Sequence, residues 1–305
     1  VRYNKLDKAE FLQFRKAHTQ VEVARHYGIS ERSVRDWEKK LEGVVVEDKP
    51  EPAIAFPANA DHQCLVGKLT VYAEKCLVIG DCEIPDHSIQ MFENIVTIGR
   101  RFAIEDLIIN GDFLALDSCS NWPKVAVDFI QFRQELKAAK MALKVFLQTF
   151  KRITWITGNH ERRLAYKFDG QLNIGDFIGD IENVRFSEYT SCILKSGGRE
   201  AYITHQKNYS QIPLSVPRKL IQARHMDILC AHNHHLALGY DPSGQYWLAE
   251  GGYCRDRTRT VYKEINTTTH PEWNPGFVMI QNGMPYLIDQ NNLDFWMSVK
   301  SGMGA

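Results

Sequence analysis

The chain has 305 residues, 44% hydrophobic and 24% charged, the balance of an ordinary globular protein and enough for two domains. Its 37 Lys and Arg offset 37 Asp and Glu, which excludes a chain-wide basic coat for nucleic acid and leaves only local patches. Collagen-like, mucin-like and wholly disordered chains are excluded by the same composition, and no stretch reaches the roughly 18–20 consecutive apolar residues of a membrane span.

Residues 1–45 are charged and helical in pattern, with a local excess of basic groups, and predict a small all-α domain. Within Thr19–Leu41 the spacing fits two helices and a turn. Ala24 is small where the helices cross and Gly28 permits the turn. Ser30 caps the second helix, which Ile29, Val34 and Trp37 pack against the first. Residues 46–64 are rich in Pro and Ala and read as a linker. From residue 65 to 305 strands and helices alternate, then give way to hairpins, which predicts a mixed-sheet α/β domain. Buried strands are expected at Cys76–Gly80, Asp106–Ile109, Arg152–Thr157 and Asp227–Cys230. Helices are expected at Ser88–Phe102, from Pro123 to about Phe150, and at Pro217–Met226. Residues 183–204 predict two or three strands around Ser196-Gly197-Gly198. Further hairpins turn at Asp241–Gly244 and Asn282-Gly283.

The polar residues after the strands carry the functional signal. Asp81 and Glu83 follow the first, Asn110-Gly111-Asp112 the second, and Gly158-Asn159-His160-Glu161 the third. His205 follows Tyr202-Ile203-Thr204, and His232-Asn233-His234 follows Asp227–Ala231. In an α/β sheet the carboxyl ends of parallel strands share an edge where ligands bind. Asp81, Glu83, Asp112, Asn159, His205, His232 and His234 converging there amount to a metal site, with too many donors for one ion. The cysteines are odd in number and lack a CxxC pair, which argues against a disulfide framework and a Cys-type zinc site. With no apolar signal core at residues 1–6, the expected location is the cytoplasm.

This ordered series resembles the calcineurin-like metallophosphoesterase superfamily. The resemblance implies a four-layer α/β/β/α sandwich with two mixed sheets. It also implies two divalent ions, Mn favoured with Fe or Zn as alternatives. One ion would take Asp81, Glu83, Asp112 and His234, and the other Asp112, Asn159, His205 and His232. Two ions about 3.5–4 Å apart acidify a shared water and clamp the oxygens of an in-line phosphoryl displacement. His160 would hydrogen-bond a non-bridging phosphate oxygen or protonate the leaving alkoxide. Two positions depart from the family pattern. Ala231 stands where Gly is usual, and Glu83 stands where His is usual. Glu83 adds negative charge and favours a harder ion, while His87 offers an alternative imidazole. Glu161-Arg162-Arg163 reads as a solvated first helical turn, with Arg162 or Arg163, Arg163 preferred, reaching substrate phosphate as the functional alternative.

The N-terminal unit resembles the helix-turn-helix of transposases and phage terminase or regulator proteins. Arg32, Arg35 and Lys39 would then face DNA. The combined expectation is a dinuclear metal-dependent phosphoesterase, acting on phosphodiesters with nucleic acid as a candidate. The rivals are a non-catalytic DNA-binding or assembly protein with a structural metal site, and a small-molecule phosphomonoesterase or nucleotide hydrolase.

Overall fold

Alternating side-chain direction along strands buried on both faces sorts the structure into layers. The computed structural model describes residues 7–43, 69–120, 131–259 and 273–299. The expected linker and the expected helix start at Pro123 lie outside these residues.

The N-terminal helices form a unit of their own. They are α1 (Lys8–Ala17), α2 (Gln20–Tyr27) and α3 (Glu31–Lys40). Thr19 and Glu22 form a reciprocal capping box on α2, and the Ser30 hydroxyl accepts from Ser33 N at the start of α3. Gly28 takes φ 65°, the left-handed conformation that ends α2 and that a Cβ would strain. Phe11, Val23, Val34, Trp37 and Leu41 are the buried core.

The larger unit begins with β1 (Thr70–Tyr72), β2 (Lys75–Ile79), α4 (Ile89–Arg101), β3 (Asp106–Asn110), α5 (Phe132–Phe146) and β4 (Arg152–Ile156). It continues with α6 (Asn159–Lys167), α7 (Ile174–Ile178), β5 (Val184–Ser187), β6 (Ser191–Ser196), β7 (Arg199–Thr204) and α8 (Ser215–Arg224). The last elements are β8 (Asp227–Cys230), β9 (Leu236–Tyr240), β10 (Trp247–Gly251), β11 (Phe277–Gln281), β12 (Met284–Ile288) and α9 (Leu293–Ser298). They build two mixed six-stranded sheets, ordered β12-β11-β2-β3-β4-β5 and β1-β6-β7-β8-β10-β9. In β2 and β3, Cys76, Val78 and Ile108 point inward to meet Ile203, Leu229 and Trp247 of the other sheet. Leu77, Ile79, Leu107 and Ile109 point the other way, onto α4 and α5. On the far face of the second sheet, Ile221 of α8 covers Ile228 and Leu248. The result is the expected two-sheet sandwich with flanking helices.

Parallel pairing puts the ends of β2, β3 and β4 on one edge, and likewise those of β7 and β8. At their other ends the strands carry matching braces. Arg152 binds Asp106 through two N–H groups, and Arg199 binds Asp227 in the same way.

Some expectations shift. The β1 strand was not anticipated, being only three residues long. In the described residues the helix before β4 runs Phe132–Phe146 and stops short of Phe150. The α8 helix starts two residues before Pro217, which is tolerated because the first helical N–H groups have no intrahelical acceptor. Among the described residues no helix is long and apolar enough to cross a membrane, and six cysteines are free.

One helix residue breaks the apolar pattern. Glu135 of α5 is 1% exposed, beside Asp117 and the Ser118 hydroxyl, which donates to it at 3.4 Å. Burial, then the Asp117 charge, pushes its carboxyl up to about 7. A carboxyl raised in the fold favours the folded state while protonated. That advantage is complete below about pH 4.5 and is lost as pH rises through about 7. Stability relative to Glu135→Gln should therefore fall by roughly 3 kcal/mol between pH 4.5 and 8. Urea unfolding of both proteins across this range checks the slope; parallel profiles would show that Glu135 titrates normally.

Candidate metal centre

The ends of β2, β3 and β8 turn sharply to present their polar side chains. Asp81, Glu83, Asp112, His232 and His234 all have positive φ, between 46° and 79°. L-residues adopt this region at a cost, so surrounding contacts must hold them there. Backbone bonds do so between neighbouring turns: Asp81 N donates to Gly111 O, and Glu83 N to Asp112 O. Gly158 has no room for a Cβ, which would overlap the Asp112 carboxylate and amide. This is why the Gly-Asn-His-Glu segment must begin with glycine.

The candidate donors fall into two adjoining groups. In the first, single ligand atoms of Asp112, His205 and His232 lie within 4.8 Å of one another and form a group able to hold a metal ion. Asn159 Oδ1 stands 3.0 Å from His205 Nε2, and Asp112 Oδ2 stands 3.2 Å from it. His205 Nδ1 donates to the Asn110 carbonyl at 2.9 Å, so Nε2 is the nitrogen turned to the cluster. In the second group, His234 Nε2 lies 3.2 Å from Asp81 Oδ1 and 3.5 Å from Glu83 Oε1. The groups are tied together where His232 N donates to Asp81 Oδ2 at 3.0 Å. His87 packs its ring 4.4 Å from that of Phe92.

Charge in this cluster is tightly coupled. Burial would raise the Asp112 carboxyl, but the imidazoles of His160 and His205 outweigh it and hold the group well below the usual carboxylate range. His205 is opposed by burial but lifted to about 10 by Asp112. His232 shifts downward through burial and the nearby His205. The place a proton takes between Asp112 and His205 is one a divalent cation can take instead. Asp81 Oδ1 supports the same conclusion: it is buried and, among the described residues, accepts no hydrogen bond, with His234 Nε2 close by at 3.2 Å. Such an oxygen is costly unless something positive completes its surroundings. The mixed oxygen and imidazole donors therefore fit divalent metal binding.

Three neighbours change the picture drawn from sequence. Arg255, 5% exposed, donates one N–H to Glu83 Oε2 and another to Asp86 at 2.9 Å. Burial raises the Glu83 carboxyl, yet the Arg255 charge leads the effects that bring it down to about 2. The extra negative charge expected from Glu83 is thus balanced by a buried cation, and only Oε1 faces His234. Glu161, expected in a solvated turn, is 2% exposed. Its carboxylate accepts from Asp112 N, Phe113 N, Leu114 N and Gly158 N at 2.8–3.1 Å. Arg162 is the residue of that turn that faces solvent. Arg163 is held by Ala115 O and Asp117, and donates to His160 Nε2 at 2.7 Å. Arginine only donates, so the His160 ring proton belongs on Nδ1. His160 N also donates to Asp112 Oδ1 at 2.8 Å. Arg32, Arg35 and Lys39 lie in the N-terminal unit, all exposed on α3.

No curated protein matches the chain. Among solved structures, a hypothetical protein from Pyrococcus horikoshii OT3 aligns at 10% identity and a TM-score of 0.43, covering 74% of this chain and 92% of its own. Chaetomium thermophilum Vps29 aligns at 10% identity and 0.41, covering 71% and 94%. A novel archaeal phosphodiesterase aligns at 14% identity and 0.39, covering 70% and 98%. The family model described as calcineurin-like phosphoesterase matches residues 75–298. Its match spans β2 to β12 and every donor described above, and the chain belongs to the calcineurin-like phosphoesterase family.

Proposed function

We propose that the protein is a phosphoesterase using two divalent ions, Mn²⁺ favoured, and that phosphodiesters, nucleic acid among them, are its substrates. The observation that carries this reading is the pair of adjoining donor groups, one of them holding the buried Asp81 Oδ1 beside His234 Nε2. Asp81, Glu83 and His234 would hold one ion, Asn159, His205 and His232 the other, and Asp112 both. When bound, the ions supply Lewis-acid activation of water and of the phosphoryl group. The chain's own contribution is orientation. Asn110 fixes the His205 tautomer, Glu161 fixes the Asp112 turn, and Arg255 limits the charge on Glu83. His160 bears its proton on Nδ1 while Arg163 occupies Nε2. Donation from Nε2 to a leaving alkoxide would require that contact to open and that nitrogen to gain a proton. Arg163 in this reading orients His160, and the phosphate contact expected for it would require the same opening.

The test is hydrolysis of bis(p-nitrophenyl) phosphate before and after chelation, with Mn²⁺ added back. Chelation should abolish turnover and Mn²⁺ restore it. Asp112→Asn should lose bound metal and turnover together, because that carboxylate serves both groups. Turnover surviving exhaustive chelation would overturn the metal mechanism. Preference for p-nitrophenyl phosphate would favour a monoesterase, and metal uptake without turnover of either ester would favour a non-catalytic role.

We also propose that the N-terminal unit binds duplex DNA through the α3 face. The support is the exposure of Arg32, Arg35 and Lys39 on one helix whose opposite face, Val34 and Trp37, is buried. Arg32→Ala with Arg35→Ala should weaken binding and flatten its log–log salt dependence by about 0.9 per lost phosphate contact. Fluorescence anisotropy across a salt series reads both, and an unaltered slope would remove this face from DNA.

A further inference from the structure

The loop between β7 and α8 is exposed yet firmly anchored. Gln206, just after His205, donates from its side chain to the Ala231 carbonyl at 2.7 Å. Ser210 N donates to Asn233 Oδ1 at 3.1 Å, and Leu214 N to Glu250 Oε2 at 2.8 Å. Glu250, itself buried, also accepts from Asn233 Nδ2 and His235 Nδ1. The loop is thereby bonded to both sides of the segment that carries His232 and His234.

Between the first two anchors sit Lys207 and Tyr209, both facing solvent. Tyr209 is 52% exposed, and its ring centroid lies 6.2 Å from that of His232 in an edge geometry. On the other flank, Trp273 and Tyr253 pack against His234, with ring centroids 4.3 and 5.4 Å away. Tyr253 is 1% exposed and Trp273 partly buried, so those rings serve packing. Tyr209 differs: it is an apolar surface left in water, on an anchored loop beside the candidate donors. An aromatic face next to a phosphate-binding centre, with a cation two residues away, has the makings of a single-strand binding platform. There bases stack on the ring, and the phosphates are met by positive charge.

We propose that Tyr209 is the base-stacking platform of the site and that the substrates are nucleotide phosphoesters, with Lys207 beside their backbone. This rests on the phosphoesterase reading and narrows it to nucleobase-bearing substrates. Stacking is indifferent to base identity, because every base has a π-face. The site would therefore select for a base without selecting which one.

Calorimetric titration of the Mn²⁺-loaded protein with adenosine 5′-thiophosphate and with inorganic thiophosphate separates ring from phosphate. The wild-type protein should bind the nucleotide at least about 5-fold more tightly than thiophosphate, and Tyr209→Ala should cut that ratio by roughly 5- to 150-fold at most, toward unity. Tyr209→Phe keeps the aromatic face and should keep the ratio. An unchanged ratio in Tyr209→Ala overturns the platform, as does equal loss of both ligands, which would mark the ring as support for His232. If the wild-type protein binds thiophosphate but gains nothing from the nucleoside, the platform fails while the phosphoesterase reading stands. If it binds neither, both fail.

Discussion

One buried carboxylate organises the centre. Glu161 accepts four backbone N–H groups, from Gly158 at the start of α6 and from the consecutive amides of Asp112, Phe113 and Leu114. These bonds hold the turn after β3 against the helix after β4, with Asp112 in its left-handed conformation. Burial, then the charge of Asp112, pushes the Glu161 carboxyl up, against the pull of the same N–H groups. It tolerates that position because aligned amides at a turn and a helix start act as partial positive charge. Without it, four converging amides would be left unsatisfied in the interior, and the Asp112 turn would lose a main anchor of its strained conformation.

Charge balance follows the same logic at the other end of the centre. Acidic groups are concentrated after β2 and β3, and several are matched locally. Asp112 faces His205, while Glu83 and Asp86 share Arg255. The Glu83–Arg255 pair presents a nearly neutral unit with one carboxylate oxygen facing inward. A carboxylate in the place of the family's usual imidazole is thereby accommodated without the full electrostatic cost of another buried anion.

The strand ends were legible from sequence because a buried strand is a short apolar run and its glycine-flanked exit is local. The Asn282-Gly283 hairpin and the Ser30 cap were legible for the same reason: a few adjacent residues decide them. What escaped was decided across the chain. Arg255 lies 172 positions from Glu83, and nothing in Tyr253–Arg257 marks it as the partner. Glu161 looked like a helix-start carboxylate on a charged turn. Its burial depends on the β3 turn folding over it, some 48 positions away. Glu250 sits near the end of a strand whose five residues are all buried, and only the sheet's geometry brings Asn233, His235 and Leu214 to it. The β1 strand is too short to show a period and exists because β6 offers it a parallel edge.

The donors come from both sheets. Asp112 and Asn159 leave β3 and β4, whereas His205 and His232 leave β7 and β8 of the opposite sheet. The layer between the sheets is apolar, and such contacts resist separation more than sliding. On the reading proposed above, an ion gripping all four side chains would be a rivet through the sandwich at one edge, opposing shear that the greasy interior permits. The chemistry of the centre and the mechanical stiffness of the whole sandwich would then depend on the same four bonds.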